Sequence, residues 1–136
     1  MTSQLEEKDA IREVMAEYCF RLDNDRYAEV AALFTEDGTW DTAFGKGTGR
    51  REIEALVQRI RQSGTARQRA ILHVTNIAIK VDGTGATAFS NWVVVQNGAQ
   101  GPKIGSAGSY ADELVKQDGT WLFRYRKIDR FIHDKA

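Results

Sequence analysis

The sequence predicts a single α+β domain in which helices come first and an antiparallel sheet follows. Apolar residues recur at helical spacing in the first half of the chain, whereas the second half alternates with a period of two. Turn sequences that suit tight hairpins separate the alternating segments: Asp82-Gly83, Asn97-Gly98 and Asp118-Gly119. This order favours helices gathered on one face of an antiparallel sheet, which can curl around a pocket.

Chain length and net charge limit the number of domains and the kinds of binding partner that this protein can have. A chain of 136 residues is enough for one domain, 1–136, with a sizeable core and too short for two ordinary domains. Nineteen Lys and Arg residues balance nineteen Asp and Glu residues, so we expect no nucleic-acid or membrane partner. The polar N-terminus contains no apolar signal segment, and a cytoplasmic location is expected.

Three helices are predicted. Apolar residues at helical spacing predict the first over about residues 6–24, and Asn24 and Asp25 suit the cap of the second. Apolar periodicity extends the second helix over residues 27–34. The third carries the apolar positions of residues 53–60 and ends near Gly64, where glycine allows a left-handed backbone.

The segments after the helices predict strands. A short strand over residues 39–41 leads into residues 45–49, GKGTG. That stretch is predicted to be an ordinary loop, because it lacks the spacing and the downstream lysine of a phosphate-binding loop. Four long strands are then predicted over residues 71–81, 86–96, 104–116 and 121–131.

Three stretches carry a resemblance to a known family. They are YCFRLDNDRYAEVAALFTEDGTW at 18–40, HVTNIAI at 73–79 and YADELVKQDGTWLFRYRKI at 110–128. In this order they resemble the SnoaL-like proteins of the nuclear-transport-factor-like superfamily, over nearly the whole chain. The resemblance implies a strongly curved, mostly antiparallel sheet wrapped by three N-terminal helices into a cone with an apolar pocket. It also implies a homodimer or homotrimer.

The motifs are nearest to the scytalone dehydratase and bile-acid dehydratase branch. There an aspartate at the end of the first helix works with a histidine at the start of the first long strand, which correspond to Asp23 and His73. A carboxylate that accepts one imidazole proton fixes the tautomer and stabilises the imidazolium that forms. The resemblance therefore implies that His73 is a general base oriented by Asp23, with a purely structural hydrogen bond as the alternative.

Two further polar residues follow from the same resemblance. Tyr18 lies five residues before Asp23, where the dehydratases use a tyrosine to polarise the substrate or assist the leaving group. Packing in the apolar stripe of the helix is the alternative. Arg126 stands where the bile-acid dehydratase type places an arginine facing the cavity. Surface exposure is its alternative, because one bulge exchanges the inward roles of Arg124, Tyr125 and Arg126.

Large apolar side chains are candidates for the pocket lining, with core packing as the alternative. They are Trp40, Phe89, Trp92, Tyr110 and Phe123. Asn91 alternates with Phe89 and Val93 on one strand face. An inward amide at Asn91 would need a partner, which a substrate oxygen can provide.

Other kinds of chemistry find little support. Cys19 is the only cysteine, which excludes an internal disulfide and a cysteine-built zinc site. One inner histidine and one aspartate are too few for a metal, and no cofactor is expected. The sequence thus favours a cofactor-independent, dehydratase-like lyase or isomerase acting on a small hydrophobic oxygenated molecule. The alternative is a non-catalytic ligand-binding or oligomer-assembly domain, such as the small subunit of a ring-hydroxylating oxygenase.

Overall fold

The computed structural model describes residues 2–63 and 69–134, which form three helices and six strands. The helices are α1 (Gln4–Asp23), α2 (Tyr27–Ala31) and α3 (Arg50–Arg61). The strands are β1 (Phe34–Thr42), β2 (Gly45–Thr48), β3 (Ala70–Asp82), β4 (Gly85–Gly98), β5 (Gly101–Gln117) and β6 (Thr120–His133). The predicted third helix and the four long strands are all present, and each of those strands extends beyond its predicted limits.

The six strands form one sheet in the order β2-β1-β6-β5-β4-β3. Hairpins join β3 to β4, β4 to β5 and β5 to β6, so these pairs are antiparallel, as the turn sequences predict. The predicted turn at Asn97-Gly98 is misplaced, because both residues are paired in β4 and the loop is formed by residues 99–100. β1 lies on the other side of β6 and pairs with it in parallel. The predicted α+β class with a curved, mostly antiparallel sheet is confirmed.

Helix α1 begins at a capping box and buries one face. The Ser3 hydroxyl accepts from the Glu6 backbone N–H, and the Glu6 carboxylate accepts from the Ser3 N–H, so two free helix donors are satisfied. Its buried residues are Ile11, Met15, Tyr18 and Cys19. No helix within the described ranges has the combination of length and apolar character that a membrane crossing requires.

Two predicted boundaries are wrong. The second helix ends at Ala31, and Phe34 begins β1, where it is fully buried against Phe123 at 5.3 Å between ring centroids. A short apolar run fits a helix or a buried strand equally well. Residues 45–49 are not only a loop, because β2 pairs with β1 there. A Cβ at Gly47 would lie 3.2 Å from the Glu52 backbone, so glycine allows this strand to approach α3.

The sheet has an inner face, toward the helices, and an outer face. Bulges between Thr75 and Ala78 in β3 and at Arg124 in β6 shift the alternation of the side chains. Inner side chains that join the core include Leu72, Trp92, Tyr110 and Phe123. Exposed apolar side chains on the outer face include Ile71, Phe89, Val95, Ile104 and Ile132. The homodimer or homotrimer implied by the resemblance stays a prediction.

A buried ion pair joins β5 to β6 inside the core. Arg126 Nε donates to Asp112 Oδ1 at 2.9 Å and Nη2 donates to Oδ2 at 3.3 Å, with both side chains excluded from solvent. Burial raises the pKa of Asp112, and the neighbouring guanidinium opposes that rise. Nη1 has no hydrogen-bond partner among the described residues. A cation without a carboxylate in this position would be very unfavourable, so the pair is a strong constraint on the packing.

We predict that Gly108→Ala strongly destabilises the protein. Gly108 lies in β5 where the register with β6 shifts, and a Cβ there would overlap the carbonyl oxygen of Asp129. The free energy of unfolding in urea should fall by about 3 kcal/mol or more, because backbone has to move. Gly85→Ala is the matched control, since its nearest contact would be an ordinary 3.7 Å. Equal losses in the two variants would contradict this packing.

We also predict that Asp112→Ala lowers the free energy of unfolding by about 3–5 kcal/mol, because it leaves the Arg126 cation buried and unpaired. Replacing both residues, as Asp112→Leu with Arg126→Met, should recover most of this loss. Urea unfolding monitored by circular dichroism measures both effects. Arg124→Ala serves as control, because it removes an exposed arginine from β6, the strand of Arg126. A loss below about 1 kcal/mol for Asp112→Ala would show that the pair is not buried as described.

Candidate active site

A cavity of about 170 Å³ lies between the helices and the inner face of the sheet. Its inner wall is mostly aromatic and aliphatic, and it includes Tyr18, Leu22, Trp40, Leu72, Trp92 and Tyr110. An engineered apolar cavity of about 150 Å³ is large enough to bind benzene. The cavity therefore has room for a ring-sized apolar group.

Tyr18 is a buried phenol whose oxygen is held by a hydrogen bond. Trp40 Nε1 donates to Tyr18 Oη at 3.0 Å, and the Tyr18 ring packs edge-on against Tyr110 at 5.7 Å between centroids. Because the oxygen accepts this bond, the Tyr18 O–H is still able to donate to another acceptor. Burial raises the pKa of Tyr18 to about 12, although the Arg126 cation acts in the opposite direction. The phenol is therefore protonated at neutral pH.

Asp23, the last residue of α1, places a carboxyl group in the wall of the same cavity. Both of its oxygens lie 3.2 Å from the Leu72 backbone nitrogen, which donates to them. Burial raises the pKa of Asp23, and this effect outweighs the hydrogen bond from Leu72 and the positive charge of Arg61, which lower it. A carboxyl group with raised proton affinity in an apolar cavity is suited to proton transfer.

His73 does not have the orientation that the sequence analysis predicted. It is exposed, and its cross-strand partner on β4 is Val93, on the outer face. The preceding residue, Leu72, lines the cavity and binds Asp23 through its N–H, and successive strand side chains point to opposite faces. Within residues 2–63 and 69–134, Asp23 has no hydrogen bond to His73. The structure thus does not assemble the predicted pair.

Phe89 and Asn91 also differ from the prediction, because both belong to the outer face of β4. Phe89 is 56% exposed, and Asn91 is exposed opposite Ser109. The inner positions of this part of β4 are taken by Ser90 and Trp92, which are buried. Apolar residues occupy both phases of this strand, so alternation alone does not identify the inner face.

Trp40, Tyr18 and Tyr110 lie in the cavity wall, and their roles in ligand binding stay predictions. Arg126 is inward and fully buried rather than exposed, but it lies behind the wall. Its guanidinium carbon is 4.2 Å from the centroid of the Tyr18 ring and 3.6 Å from that of Tyr110. Arg126 is therefore placed to support the two tyrosines rather than to contact a ligand directly.

Sequence reasoning missed the charged residues at the cavity mouth. Arg61 lines the cavity and forms an ion pair with Asp25 at 2.8 Å. Arg130 also lines it, with its guanidinium carbon 4.6 Å from the ring centroid of Phe44. Arg130 lies on the same face of β6 as Arg126, because the two residues are four apart beyond the bulge at Arg124. The sequence alone does not reveal that bulge, so it does not show which face is the inner one.

Metal and thiol chemistry have little basis in this part of the molecule. The described ranges contain no group of three or more His, Cys, Asp and Glu side chains placed to hold a metal ion. Cys19 is buried, and burial raises the pKa of its thiol to about 11. A thiol with this pKa is protonated at neutral pH and is a poor nucleophile.

Comparison with solved structures supports the fold and its ancestry. A protein of unknown function from Mycobacterium tuberculosis, solved as an Asp-to-Asn variant, is 32% identical, with a TM-score of 0.84 over 94% of this chain and 73% of that chain. A candidate scytalone dehydratase from Novosphingobium aromaticivorans is 29% identical, with a TM-score of 0.79 over 97% and 91% of the two chains. A Nostoc punctiforme protein with a cystatin-like fold is 20% identical, with a TM-score of 0.85 over 96% of each chain, and shows the fold alone.

Among curated proteins, none matches this sequence. The SnoaL-like domain family matches residues 3–127, which is nearly the whole chain. This match confirms the resemblance carried by the three sequence motifs. The chain belongs to the SnoaL-like domain family.

Proposed function

We propose that this protein is a cofactor-independent lyase or isomerase that transfers a proton on a small hydrophobic, oxygenated molecule. Asp23 is the acid-base group and Tyr18 is the hydrogen-bond donor. One observation carries the proposal: a carboxyl group with a raised pKa and a buried phenol line the same apolar cavity.

The chemistry follows from the states of the two groups. The Asp23 carboxylate removes a proton from the carbon next to a carbonyl group, and the Tyr18 O–H donates to the carbonyl oxygen as negative charge develops there. In a dehydration, the electron pair expels a β-hydroxyl group, which takes the proton back from Asp23 and leaves as water. In an isomerisation, Asp23 returns the proton to a different carbon. Both routes leave the enzyme unchanged.

The proposed site differs from the pair that the resemblance implies. His73 is exposed on the outer face, so we assign the acid-base role to Asp23 without an imidazole partner. A relative of 29% identity is a candidate scytalone dehydratase, which supports dehydration as the subtype. Apolar surroundings that raise the pKa of a carboxyl group are a known means of tuning it for proton transfer near neutral pH.

A non-catalytic ligand-binding domain is the second candidate, and one observation favours it. Both oxygens of Asp23 accept from the Leu72 N–H, so the carboxylate also joins the end of α1 to β3. If that structural role is its only role, the cavity binds a ligand without transforming it. The two candidate functions therefore differ in whether the protein transfers a proton to or from its ligand.

We predict that the protein accelerates hydrogen–deuterium exchange next to the carbonyl group of six-membered cyclic ketones in D2O. The panel includes ketones with and without a ring carboxylate, and proton NMR follows the loss of signal. Asp23→Asn should slow the catalysed exchange by about 100-fold, because it removes the base. Tyr18→Phe should slow it by about tenfold, because it removes one donor to the oxyanion.

His73→Ala is the matched control for this experiment, since the exposed imidazole lies outside the cavity. It should leave the exchange rate within about twofold of wild type. A large loss of exchange rate in His73→Ala would indicate that His73 is the base, as the sequence predicted, and would contradict our assignment of Asp23. Ligand binding without accelerated exchange for any ketone would favour the non-catalytic domain.

The raised pKa of Asp23 also predicts a pH-dependent effect on stability. A folded-state pKa above the ordinary aspartate value of 3.8 means that the folded protein holds this proton more tightly than the unfolded chain. The contribution of Asp23 to stability is thus present below pH 3.8 and lost as pH rises through the folded-state pKa. Asp23→Asn lacks this loss, so its free energy of unfolding relative to wild type should be higher at pH 7 than at pH 3.

Urea unfolding of both proteins across that pH range measures the difference. Asp9→Asn controls for removal of an exposed carboxylate from the same helix. If the difference between Asp23→Asn and wild type does not grow with pH, the carboxyl group is not desolvated in the folded protein.

A further inference from the structure

We propose that the ligand of the cavity carries an anionic group, such as a carboxylate, on a ring-sized apolar body, and that Arg130 binds this group at the cavity mouth. The inference rests on the proposed function for the location of the site. It adds the charge of the ligand and the residue that recognises that charge.

Arg130 lines the cavity, and its side chain makes no hydrogen bond to any residue of the described ranges. It is partly buried, it lines the cavity, and its guanidinium lies over the ring of Phe44. Within residues 2–63 and 69–134, it forms no ion pair with an aspartate or glutamate. A guanidinium that stacks through its face still has N–H groups along its edge, which match the two oxygens of a carboxylate.

The acidic side chains near the cavity mouth do not neutralise the positive charge of its arginines. Arg61 and Arg130 line the cavity, and Arg59 reaches the same region, where Nη2 donates to the Phe44 carbonyl oxygen at 3.4 Å. Asp23 lines the cavity and Asp25 pairs with Arg61. The positive charge of Arg69 also acts on Asp23, so four cations face two carboxylates. The excess is two positive charges, and three when Asp23 is protonated.

The acidic neighbour of Arg130 in the sequence does not change this balance. Asp129 pairs with Ser109 across the β5–β6 register, whereas Arg130 pairs with Gly108, so the two side chains belong to opposite faces of the sheet. An anion that reaches the mouth from solvent therefore meets the guanidinium of Arg130 without a competing carboxylate on the same strand.

The rest of the cavity determines how such a ligand lies. Trp40 and Trp92 belong to a wall that suits an apolar ring, and the volume of about 170 Å³ limits the enclosed part to about one ring. An anion beside the Asp23 carboxylate would be repelled, so the charged end points toward Arg130. A neutral carbonyl or hydroxyl group at the other end then faces Tyr18. The ligand class is therefore a cyclic carboxylic acid with a second oxygen function.

Tryptophan fluorescence tests this assignment, because Trp40 and Trp92 lie in the cavity wall. The probes are benzoate and benzamide, which have nearly the same shape and differ in charge. At neutral pH and low salt, wild type should bind benzoate at least about tenfold more tightly than benzamide. Arg130→Gln should weaken benzoate by about tenfold and leave benzamide unchanged, whereas Arg130→Lys should retain part of the preference.

Arg124→Gln is the matched control, because it removes an exposed arginine from the same strand outside the cavity. It should leave both affinities unchanged. Circular dichroism confirms that each variant is folded.

Equal binding of the two probes by wild type, or a benzoate preference that survives in Arg130→Gln, would overturn the inference. Absence of binding by both probes at concentrations up to about 10 mM would also overturn it. The readout is binding and not turnover. An intact benzoate preference without ketone exchange would overturn the proposed function and support the anion site. Ketone exchange without a benzoate preference would support the proposed function and overturn the anion site.

Discussion

Arg126 is a buried cation on which both the core and the cavity depend. Its guanidinium pairs with Asp112 on the neighbouring strand and stacks against Tyr18 of the first helix and Tyr110 of β5. One side chain thereby joins three elements. Taking a guanidinium out of water is unfavourable, and the carboxylate and the aromatic faces offset that cost. Since the same tyrosines form the cavity wall, the position of the phenols follows from the placement of a charge behind them.

Much of the fold was predictable because its signals are local. Apolar periodicity identified the helices, and the two Asp-Gly sequences identified two of the hairpins, whereas the Asn-Gly sequence lies just before the turn of the third. These hairpins determine the order of the four long strands. The parallel pairing of β1 with β6 was not predictable, because those strands are far apart in the sequence. The end of the second helix was missed because the apolar residues through Phe34 suit either a helix or a buried strand.

The site was only partly predictable. Residues on the helix were placed correctly, whereas several residues on strands were assigned to the wrong face. Tyr18 and Asp23 are on one regular helix, and both line the cavity. His73, Phe89 and Asn91 are on strands, where one residue of phase exchanges the inner and outer faces. The stretch from Ile71 to Val74 has apolar residues in both phases, and the bulges of β3 and β6 have no clear local signal.

The cavity is lined by two kinds of residue, which differ in how much they contribute to the stability of the fold. Its floor consists of core side chains such as Tyr18 and Tyr110, whose replacement disturbs the packing around a buried charge. Its rim consists of partly exposed residues such as Phe44 and Arg130, whose replacement has little effect on folding. Ligand preference can thus change during evolution by substitution at the rim while the proposed acid-base groups stay in place. This separation allows one scaffold to accept different ligands.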